Sequence, residues 1–139
     1  MSTTIRPELS DKNQYWIEKH RYYELKHFCL QYPIWKKAHS SIDGMVKKTN
    51  NLEKFNDAFQ INDITGKCAE AKYHYSNLMD MVNRTASDTD PYLGSYILKA
   101  VTEGLSYESL RVRTDIPCCR DTYYNLYRRF FWLLNKARN

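Results

Sequence analysis

Glycine and proline are scarce in this 139-residue chain, with four residues of each. β-Sandwiches depend on many tight turns, so this scarcity favours helices over strands. No apolar run approaches the roughly 20 residues that cross a bilayer, and a transmembrane helix is not expected. The opening residues MSTTIRPELSDKNQ contain no apolar h-region, so a secretory signal is not expected either. The sequence therefore predicts an intracellular protein without a membrane partner.

Motifs for metal binding and catalysis are also missing. The cysteines at 29, 68, 118 and 119 form no C-x-x-C pair, and the histidines lack the spacing of zinc ligands. The adjacent pair at 118–119 would close a strained disulfide ring, so reduced thiols are expected. No Gly-rich phosphate loop, metal-spaced carboxylate cluster or Ser-His-Asp arrangement is present. We therefore expect no enzyme activity, no catalytic or metal-ligating residue and no cofactor.

Positive charge is concentrated in the last third of the chain, although the net charge is only +5. Residues 1–90 carry 13 Lys or Arg against 12 Asp or Glu, a balance of +1. Residues 91–139 carry eight against four, a balance of +4. A local basic surface attracts phosphates because binding releases their counterions. The same excess is also compatible with an ordinary solvated face.

Apolar residues recur at intervals of three and four along most of the chain, which predicts an all-α protein. Helix starts are indicated at Ser10 or Asp11 and at Ser106, and helix ends at Pro33 and Gly104. A heptad-like pattern over 68–82 indicates one long helix that packs within the chain or against a second copy. The helices are predicted near 11–31, 34–46, 67–85, 91–103, 106–114 and 119–137.

The predicted helices divide the chain into two regions. Residues 1–90 would form an N-terminal helical hairpin and a long helix, for oligomerisation or partner contact. The stretch 47–66 is rich in Asn and Asp and is predicted to be flexible, and TASDTD is predicted to end the long helix. Residues 91–139 would form a tri-helical unit whose last two helices are joined by about four residues. That is the layout of a DNA-binding helix-turn-helix.

The faces of the last predicted helix assign candidate DNA contacts. Helical spacing predicts a core face of Tyr123, Leu126, Phe130, Leu133 and Ala137. On the opposite face, Asn suits adenine and Arg suits guanine, because each offers two hydrogen-bonding groups in the right geometry. The candidate base-contacting residues are Tyr124, Asn125 and Arg128. The candidate phosphate-contacting residues are Arg111, Arg113, Arg120, Thr122 and Arg129.

The segment YESLRVRTDIPCCRDTYYNLYRRFFWLL resembles the C-terminal helix-turn-helix of phage transcriptional activators of the RinA type. It is more distantly similar to the promoter-contacting part of sigma factors. The segment ELKHFCLQYPIWKK resembles the helix-ending Tyr-Pro segment of the same family. In the motif, Thr122 falls on the family's threonine early in the recognition helix, and Arg128 falls on its basic position about one and a half turns later.

The resemblance implies a sequence-specific DNA-binding transcription regulator encoded by a phage or prophage of Gram-positive bacteria. Such proteins act in the cytoplasm of the bacterial host and activate late packaging and morphogenesis genes. Double-stranded DNA is the expected partner, with host RNA polymerase or another host protein as a further one. A homodimer is expected, because one recognition helix covers only a few base pairs.

Two other functions fit the same sequence. Small subunits of phage packaging terminases also carry a helix-turn-helix, and they assemble into rings. Small phage proteins can also bind and inhibit a host enzyme such as a CRISPR nuclease. The twelve tyrosines and three tryptophans suit such an interface, because aromatic residues dominate binding hot spots. They suit an ordinary aromatic core equally well.

Overall fold

The computed structural model describes residues 13–52 and 58–139. The described chain forms six α-helices and contains no strand, which confirms the predicted all-α class. None of these helices combines the length and the apolar character needed to span a bilayer. In chain order they are α1 (Lys19–Leu30), α2 (Tyr32–Leu52), α3 (Ala58–Thr89), α4 (Gly94–Glu103), α5 (Tyr107–Thr114) and α6 (Arg120–Ala137).

Helix α1 begins later than predicted, at Lys19. Before it, the Asn13 side-chain oxygen accepts a hydrogen bond from the backbone N–H two residues on, at 2.8 Å, and holds a turn. The Glu18 carboxylate then accepts hydrogen bonds from the backbone N–H groups of His20 and Arg21, at 2.8 and 3.2 Å, and caps the N-terminus of α1. The N-cap predicted at residues 10–11 lies outside the described residues.

Helices α2 and α3 are longer than predicted. The stretch 47–66, predicted as a flexible connection, is helical at 47–52 and at 58–66, and 53–57 lie outside the described residues. At its other end α3 continues through the predicted break to Thr89. The Thr85 and Thr89 hydroxyls donate to carbonyl oxygens one turn earlier, at 2.7 and 2.8 Å. These bonds satisfy the hydroxyls within the helix, so the polar residues do not end it.

Two compact units divide the described chain, and they differ from the predicted division at residue 90. One unit contains residues 13–31 and 81–139, in which α1 packs on α4 and α6, and α4, α5 and α6 pack on one another. The hydroxyls of Tyr22 on α1 and Tyr127 on α6 share a hydrogen bond of 2.7 Å. The ring of Tyr22 also meets that of Phe131 edge-on, at 5.2 Å. Helix α1 therefore completes the core of the C-terminal helices.

The other unit comprises residues 32–80, which hold α2 and the first part of α3. Pro33 lies in the first turn of α2, where its missing N–H leaves no helical hydrogen bond unmade. Trp35 and Ile42 of α2 and Cys68 of α3 are buried. The ring of Tyr32 lies 6.3 Å from that of Trp35, so an aromatic pair marks the start of α2.

Local signals set the ends of α4 and the start of α5. The Asp90 carboxylate accepts two backbone N–H groups, at 2.8 and 2.7 Å, and forms a turn, so α4 begins at Gly94 rather than at residue 91. A Cβ at Gly94 would collide with the backbone of Ala86. Gly104 ends α4 with a positive φ of 70°, and the Ser106 hydroxyl caps α5 by accepting an N–H at 3.2 Å. Both of these caps confirm the sequence prediction.

Candidate nucleic-acid interface

The connection between α5 and α6 spans residues 115–119 and is held from both sides. Asp115 adopts a left-handed conformation with φ 53°, and its N–H donates to the carbonyl of Arg111 at 2.9 Å. The Tyr107 hydroxyl donates to the carbonyl of Cys118 at 2.6 Å. Ile116, which lies between Asp115 and Cys118 in the sequence, is buried. The connection is therefore defined by hydrogen bonds and burial on each side.

Helix α6 buries a wider face than its predicted apolar stripe. Tyr123 and Phe130 are fully buried, as predicted, but Leu126 and Leu133 are only half-buried and Ala137 is exposed. The cause is that α6 packs on α1, α4 and α5 together, so its buried face extends around one flank of the stripe. The buried residues of α6 are Tyr123, Tyr124, Tyr127, Phe130, Phe131 and Leu134.

Tyr124 does not lie on the outer face, and its predicted role as a base-contacting residue is wrong. Its side chain is only 3% exposed. Its ring lies 4.9 Å from that of Tyr123 and 6.0 Å from that of Tyr127. The Arg120 guanidinium lies 5.6 Å from the centre of the same ring and covers it further. A residue enclosed in this way has no surface left for a DNA base.

The outer face of α6 presents amide and cationic groups. Asn125 is exposed, and Arg128 and Arg129 are half-buried. Partial burial lowers the pKa of Arg128, and the nearby Asp121 carboxylate opposes this effect. Arginine nevertheless stays protonated in proteins, so the charge persists. Arg129 donates a hydrogen bond to the Tyr15 hydroxyl at 3.3 Å, which fixes its position beside the face.

Further along the same face, aromatic and basic side chains stack. The Tyr15 ring lies 5.5 Å from the Trp132 ring, and the Lys136 ammonium lies 3.4 Å from the centre of that ring. A cation over an indole face is attracted by the π-electrons of the ring. Trp132 is thus covered on this face by a cation and an aromatic ring rather than presented as an open patch.

The predicted phosphate-contacting residues on α5 and the first turn of α6 differ in their surroundings. Arg111 is exposed, while Arg113 lies 4.0 Å from the Glu103 carboxylate and Arg120 lies 3.4 Å from the Glu108 carboxylate. Such exposed ion pairs contribute little stability and are screened by salt. The guanidinium groups can therefore exchange a carboxylate for a phosphate at small cost. Thr122 is exposed and accordingly accessible to a ligand.

An exposed apolar side chain, Val112, lies between two of these arginines on α5 and was not predicted from the sequence. It is 87% exposed on α5, between Arg111 and Arg113. A sequence signal existed, because Val112 lies off the helical stripe formed by the buried residues Tyr107 and Leu110. Its neighbourhood is an open groove between α5 and the start of α6, lined by Tyr107, Glu108, Arg111, Val112, Asp115, Ile116, Pro117, Cys118, Cys119 and Arg120.

The cysteines of the groove differ in acidity. The Cys119 thiol lies at the N-cap of α6 and shares a hydrogen bond of 3.2 Å with the Thr122 hydroxyl, which lowers the pKa of Cys119. Burial, reinforced by Cys119 and Asp90, raises the pKa of Cys118. None of the four cysteines forms a disulfide, and the described residues contain no cluster of His, Cys, Asp and Glu that could hold a metal ion.

Comparisons of the chain with protein-family models, with curated proteins and with solved structures find no match. The assignment of this surface as a nucleic-acid interface therefore depends on the residues that form it. Of the three candidate base-contacting residues, Asn125 is exposed, Arg128 is half-buried and Tyr124 is excluded.

Proposed function

We propose that the protein binds double-stranded DNA through α5 and α6, with α6 as the recognition helix in the major groove. The observation that carries this proposal is the outer face of α6. It presents Asn125 in the open, with Arg128 and Arg129 beside it, on a helix whose opposite face is fully packed. An amide side chain can bond adenine at two atoms, and a guanidinium can bond guanine in the same way.

The phosphate contacts would come from α5 and the first turn of α6. Arg111 and Arg113 are exposed there, and Arg120 and Thr122 lie at the start of α6. Arginines and hydroxyls in these positions bond backbone oxygens and set the register of the protein on the duplex. The two helices with their five-residue connection would then act as a helix-turn-helix.

The biological role that we propose is regulation of transcription as a homodimer. Two copies would supply two recognition helices, which a specific operator requires for useful affinity. The resemblance of Tyr107–Leu134 to phage activators favours activation of late phage genes in a bacterial cytoplasm. A ring-forming terminase subunit is the alternative within DNA binding, and light scattering after size exclusion separates a dimer from a ring.

The test is a selection of bound duplexes from random DNA, followed by fluorescence anisotropy on the selected site. Asn125→Ala should weaken binding to that site by about 1–3 kcal/mol and relax its sequence preference. Asn77→Ala is the matched control, because Asn77 is an exposed residue of the same type on α3. Binding of Asn125→Ala at the strength of the wild type, with unchanged preference, would contradict the recognition-helix assignment.

A second measurement separates phosphate contacts from base contacts. Arg111→Ala should weaken binding to all duplexes alike and reduce the slope of log K against log salt by about 1. Arg84→Ala on α3 is the control, since it removes the same charge from an exposed position elsewhere. An affinity that does not change between low and moderate salt would be inconsistent with binding to DNA.

A protein partner is the second candidate function, and Val112 favours it. A side chain that is 87% exposed and apolar, at the centre of a polar helix surface, suits an interface anchor better than a phosphate contact. Val112→Asp should then abolish binding to a host protein and leave the fold intact. If DNA binding is absent and this substitution abolishes co-purification of a host protein, inhibition of a host enzyme becomes the better assignment.

A further inference from the structure

Two cations and two aromatic rings form a connected group on the C-terminal half of α6, which we call the distal cluster. The Arg129 guanidinium donates a hydrogen bond to the Tyr15 hydroxyl at 3.3 Å. The Tyr15 ring lies 5.5 Å from the Trp132 ring, and the Lys136 ammonium lies 3.4 Å from the centre of the Trp132 ring. Lys136 is exposed and the other three residues are half-buried, so all four keep surface that a ligand can reach.

The segment before α1 brings Tyr15 to the distal cluster. The Asn13 side-chain oxygen accepts the backbone N–H of Tyr15 at 2.8 Å, and the Asn13 carbonyl accepts that of Trp16 at 3.0 Å, so the chain turns here. The next residue, Ile17, is buried and holds the segment against the core. Tyr15 therefore lies beside α6 although 114 residues separate it from Arg129 in the sequence.

The two cations of the distal cluster have no carboxylate partner in the described part of the chain. Neither Arg129 nor Lys136 takes part in any ion pair there. The cations of the ion pairs that are present are Arg21, Lys99, Arg113 and Arg120. Two neighbouring positive charges that the described residues leave unneutralised attract an external anion.

The distal cluster continues the face of α6 that Asn125 begins. Asn125, Arg129, Trp132 and Lys136 follow one another at spacings of four, three and four residues, which place them on one side of a helix. At about 1.5 Å per residue, the face from 125 to 136 extends about 16 Å. The major groove is only about 12 Å wide. A helix that crosses the groove with Asn125 at the bases therefore carries the distal cluster to the sugar–phosphate backbone at the edge.

We propose that the distal cluster binds backbone phosphates of duplex DNA, at the end of α6 away from its connection to α5. Arg129, held by the Tyr15 hydroxyl, would donate its remaining N–H groups to phosphate oxygens. Lys136 would exchange the Trp132 ring for a phosphate, because an exposed cation–π contact is weak. Tyr15 acts through Arg129 and is a positioning residue. This inference rests on the proposed function, and it adds the segment before α1 to the interface.

The test is fluorescence anisotropy of the full chain on the selected duplex at several salt concentrations. Lys136→Ala should weaken binding to all duplexes alike and reduce the slope of log K against log salt by about 1. Combined with Arg111→Ala it should reduce the slope by about 2, because the two residues contact separate phosphates. Lys36→Ala is the matched control, since Lys36 is exposed in the other compact unit, and it should keep the slope. A wild-type slope in Lys136→Ala would overturn the proposal.

Tyr15→Phe tests how Arg129 is positioned. The variant keeps the ring beside Trp132 and removes only the hydroxyl that Arg129 bonds. It should weaken binding when Arg129 is present and have no further effect in an Arg129→Ala background. An equal loss in both backgrounds would show that Tyr15 does not act through Arg129. Far-UV circular dichroism of each variant should match that of the wild type.

The same titrations distinguish this inference from the proposed function. If Asn125→Ala and Arg111→Ala weaken binding while Lys136→Ala and Arg129→Ala bind as the wild type does, the distal contact is overturned and the recognition helix stands. If Lys136→Ala and Arg129→Ala weaken binding while Asn125→Ala keeps wild-type affinity and sequence preference, the distal contact stands and the recognition helix is overturned. A wild-type chain that binds no duplex overturns both and leaves an acidic protein surface as the better match to these cations.

Discussion

At the residue scale, two consecutive residues of α6 have opposite environments, one in the core and the other on the surface. Tyr124 is 3% exposed and Asn125 is exposed, although both were expected on the outer face. Successive helical residues differ by about 100° around the axis, so a neighbour that covers one flank buries one of them and spares the next. This is why Asn125 remains a candidate for base contact and Tyr124 does not.

The acidity of Cys119 yields a prediction at this scale. Its thiol is exposed and shares a hydrogen bond with Thr122, which lowers the pKa of Cys119, while burial raises the pKa of Cys118. The thiolate is the reactive form, so iodoacetamide should modify Cys119 faster than Cys118 near neutral pH. Thr122→Val should raise the pKa of Cys119 and slow its alkylation. The measurement is the pH dependence of the alkylation rate, followed by peptide mass spectrometry.

The control for this experiment is Thr114→Val. The Thr114 hydroxyl donates its hydrogen bond to the carbonyl of Leu110 and not to the Cys119 thiol. Its removal should leave the rate at Cys119 unchanged. Equal alkylation rates at Cys118 and Cys119, or an alkylation rate at Cys119 that Thr122→Val leaves unchanged, would show that the hydrogen bond from Thr122 does not control the reactivity of Cys119.

At the element scale, the pairing of α1 with α6 is the main feature that local patterns did not indicate. It rests on the hydroxyl–hydroxyl bond between Tyr22 and Tyr127 and on the ring contact of Tyr22 with Phe131. At the ends of these helices, Arg21 donates to the side-chain oxygens of Asn135 and Asn139, at 2.7 and 3.2 Å. Two layers of contact, one buried and one exposed, therefore join α1 to the end of the chain.

A double-mutant cycle measures the buried layer. Tyr127→Phe and Tyr22→Phe should each destabilise the fold by about 1–3 kcal/mol, because each leaves the other hydroxyl without this hydrogen bond. The double variant should cost less than the sum, with a coupling energy of about 0.5–3 kcal/mol. The measurement is urea unfolding of the four proteins. Tyr123→Phe is the comparison, and it should be neutral or slightly stabilising, since its hydroxyl has no partner among the described residues. Strict additivity would show that the two hydroxyls do not interact.

At the scale of the whole molecule, the compact unit that holds the candidate site is discontinuous in sequence. It combines residues 13–31 with 81–139, whereas the predicted DNA-binding region was 91–139 alone. The buried residues of α1 are Tyr22, Leu25, Phe28 and Cys29, and they supply apolar surface to a small core. The Arg138 guanidinium also lies 3.8 Å from the centre of the Phe28 ring.

A fragment of residues 91–139 should therefore fail to fold alone. Without α1, the buried faces of α4 and α6 lose the helix that packs on both of them. So short a chain also has little core to spare. The measurement is far-UV circular dichroism during heating, with the full chain as the reference. A cooperative thermal transition in the fragment would contradict this prediction and support an independent C-terminal region.

Alkaline pH should destabilise the whole molecule in two stages. Burial raises the pKa of Cys29, of Tyr123 and of Tyr127, so all three stay protonated in the folded state. In the unfolded chain they ionise near their ordinary pKa values, about 8.5 for Cys and about 10 for Tyr. The folded state then binds more protons, and stability present below pH 8.5 is lost as the pH rises, by about 1.4 kcal/mol per pH unit for each group.

Urea unfolding between about pH 7 and pH 11 tests this dependence. The free energy of unfolding should be level up to about pH 8.5, decline to about pH 10 as the cysteines with raised pKa values ionise in the unfolded chain, and decline more steeply above that. Cys29→Ala should remove most of the first stage, because the pKa of Cys118 is raised less strongly, and it should keep the second stage. A free energy that is level to pH 11 would show that these groups ionise in the folded protein as readily as in the unfolded chain.

Much of the helical architecture followed from the sequence alone, because it depends on neighbouring residues. Scarce glycine and proline, together with apolar spacing, indicated an all-α protein. Gly104 and Ser106 placed the boundary between α4 and α5, since a left-handed cap and a hydroxyl N-cap act within one turn. The bounds of α5 and α6 were predicted to within one residue for the same reason, at 106–114 and 119–137.

Only the tertiary structure decided which flank of α6 is buried and where α1 packs. The hydrogen bond between Tyr22 and Tyr127 joins residues 105 apart, and the one between Arg129 and Tyr15 joins residues 114 apart. No local spacing encodes such a pairing, because the same apolar stripe can pack on any complementary face. Tyr124 becomes buried, and the Tyr123 hydroxyl is left without a hydrogen-bond partner in the described part of the chain, only because several helices meet around α6.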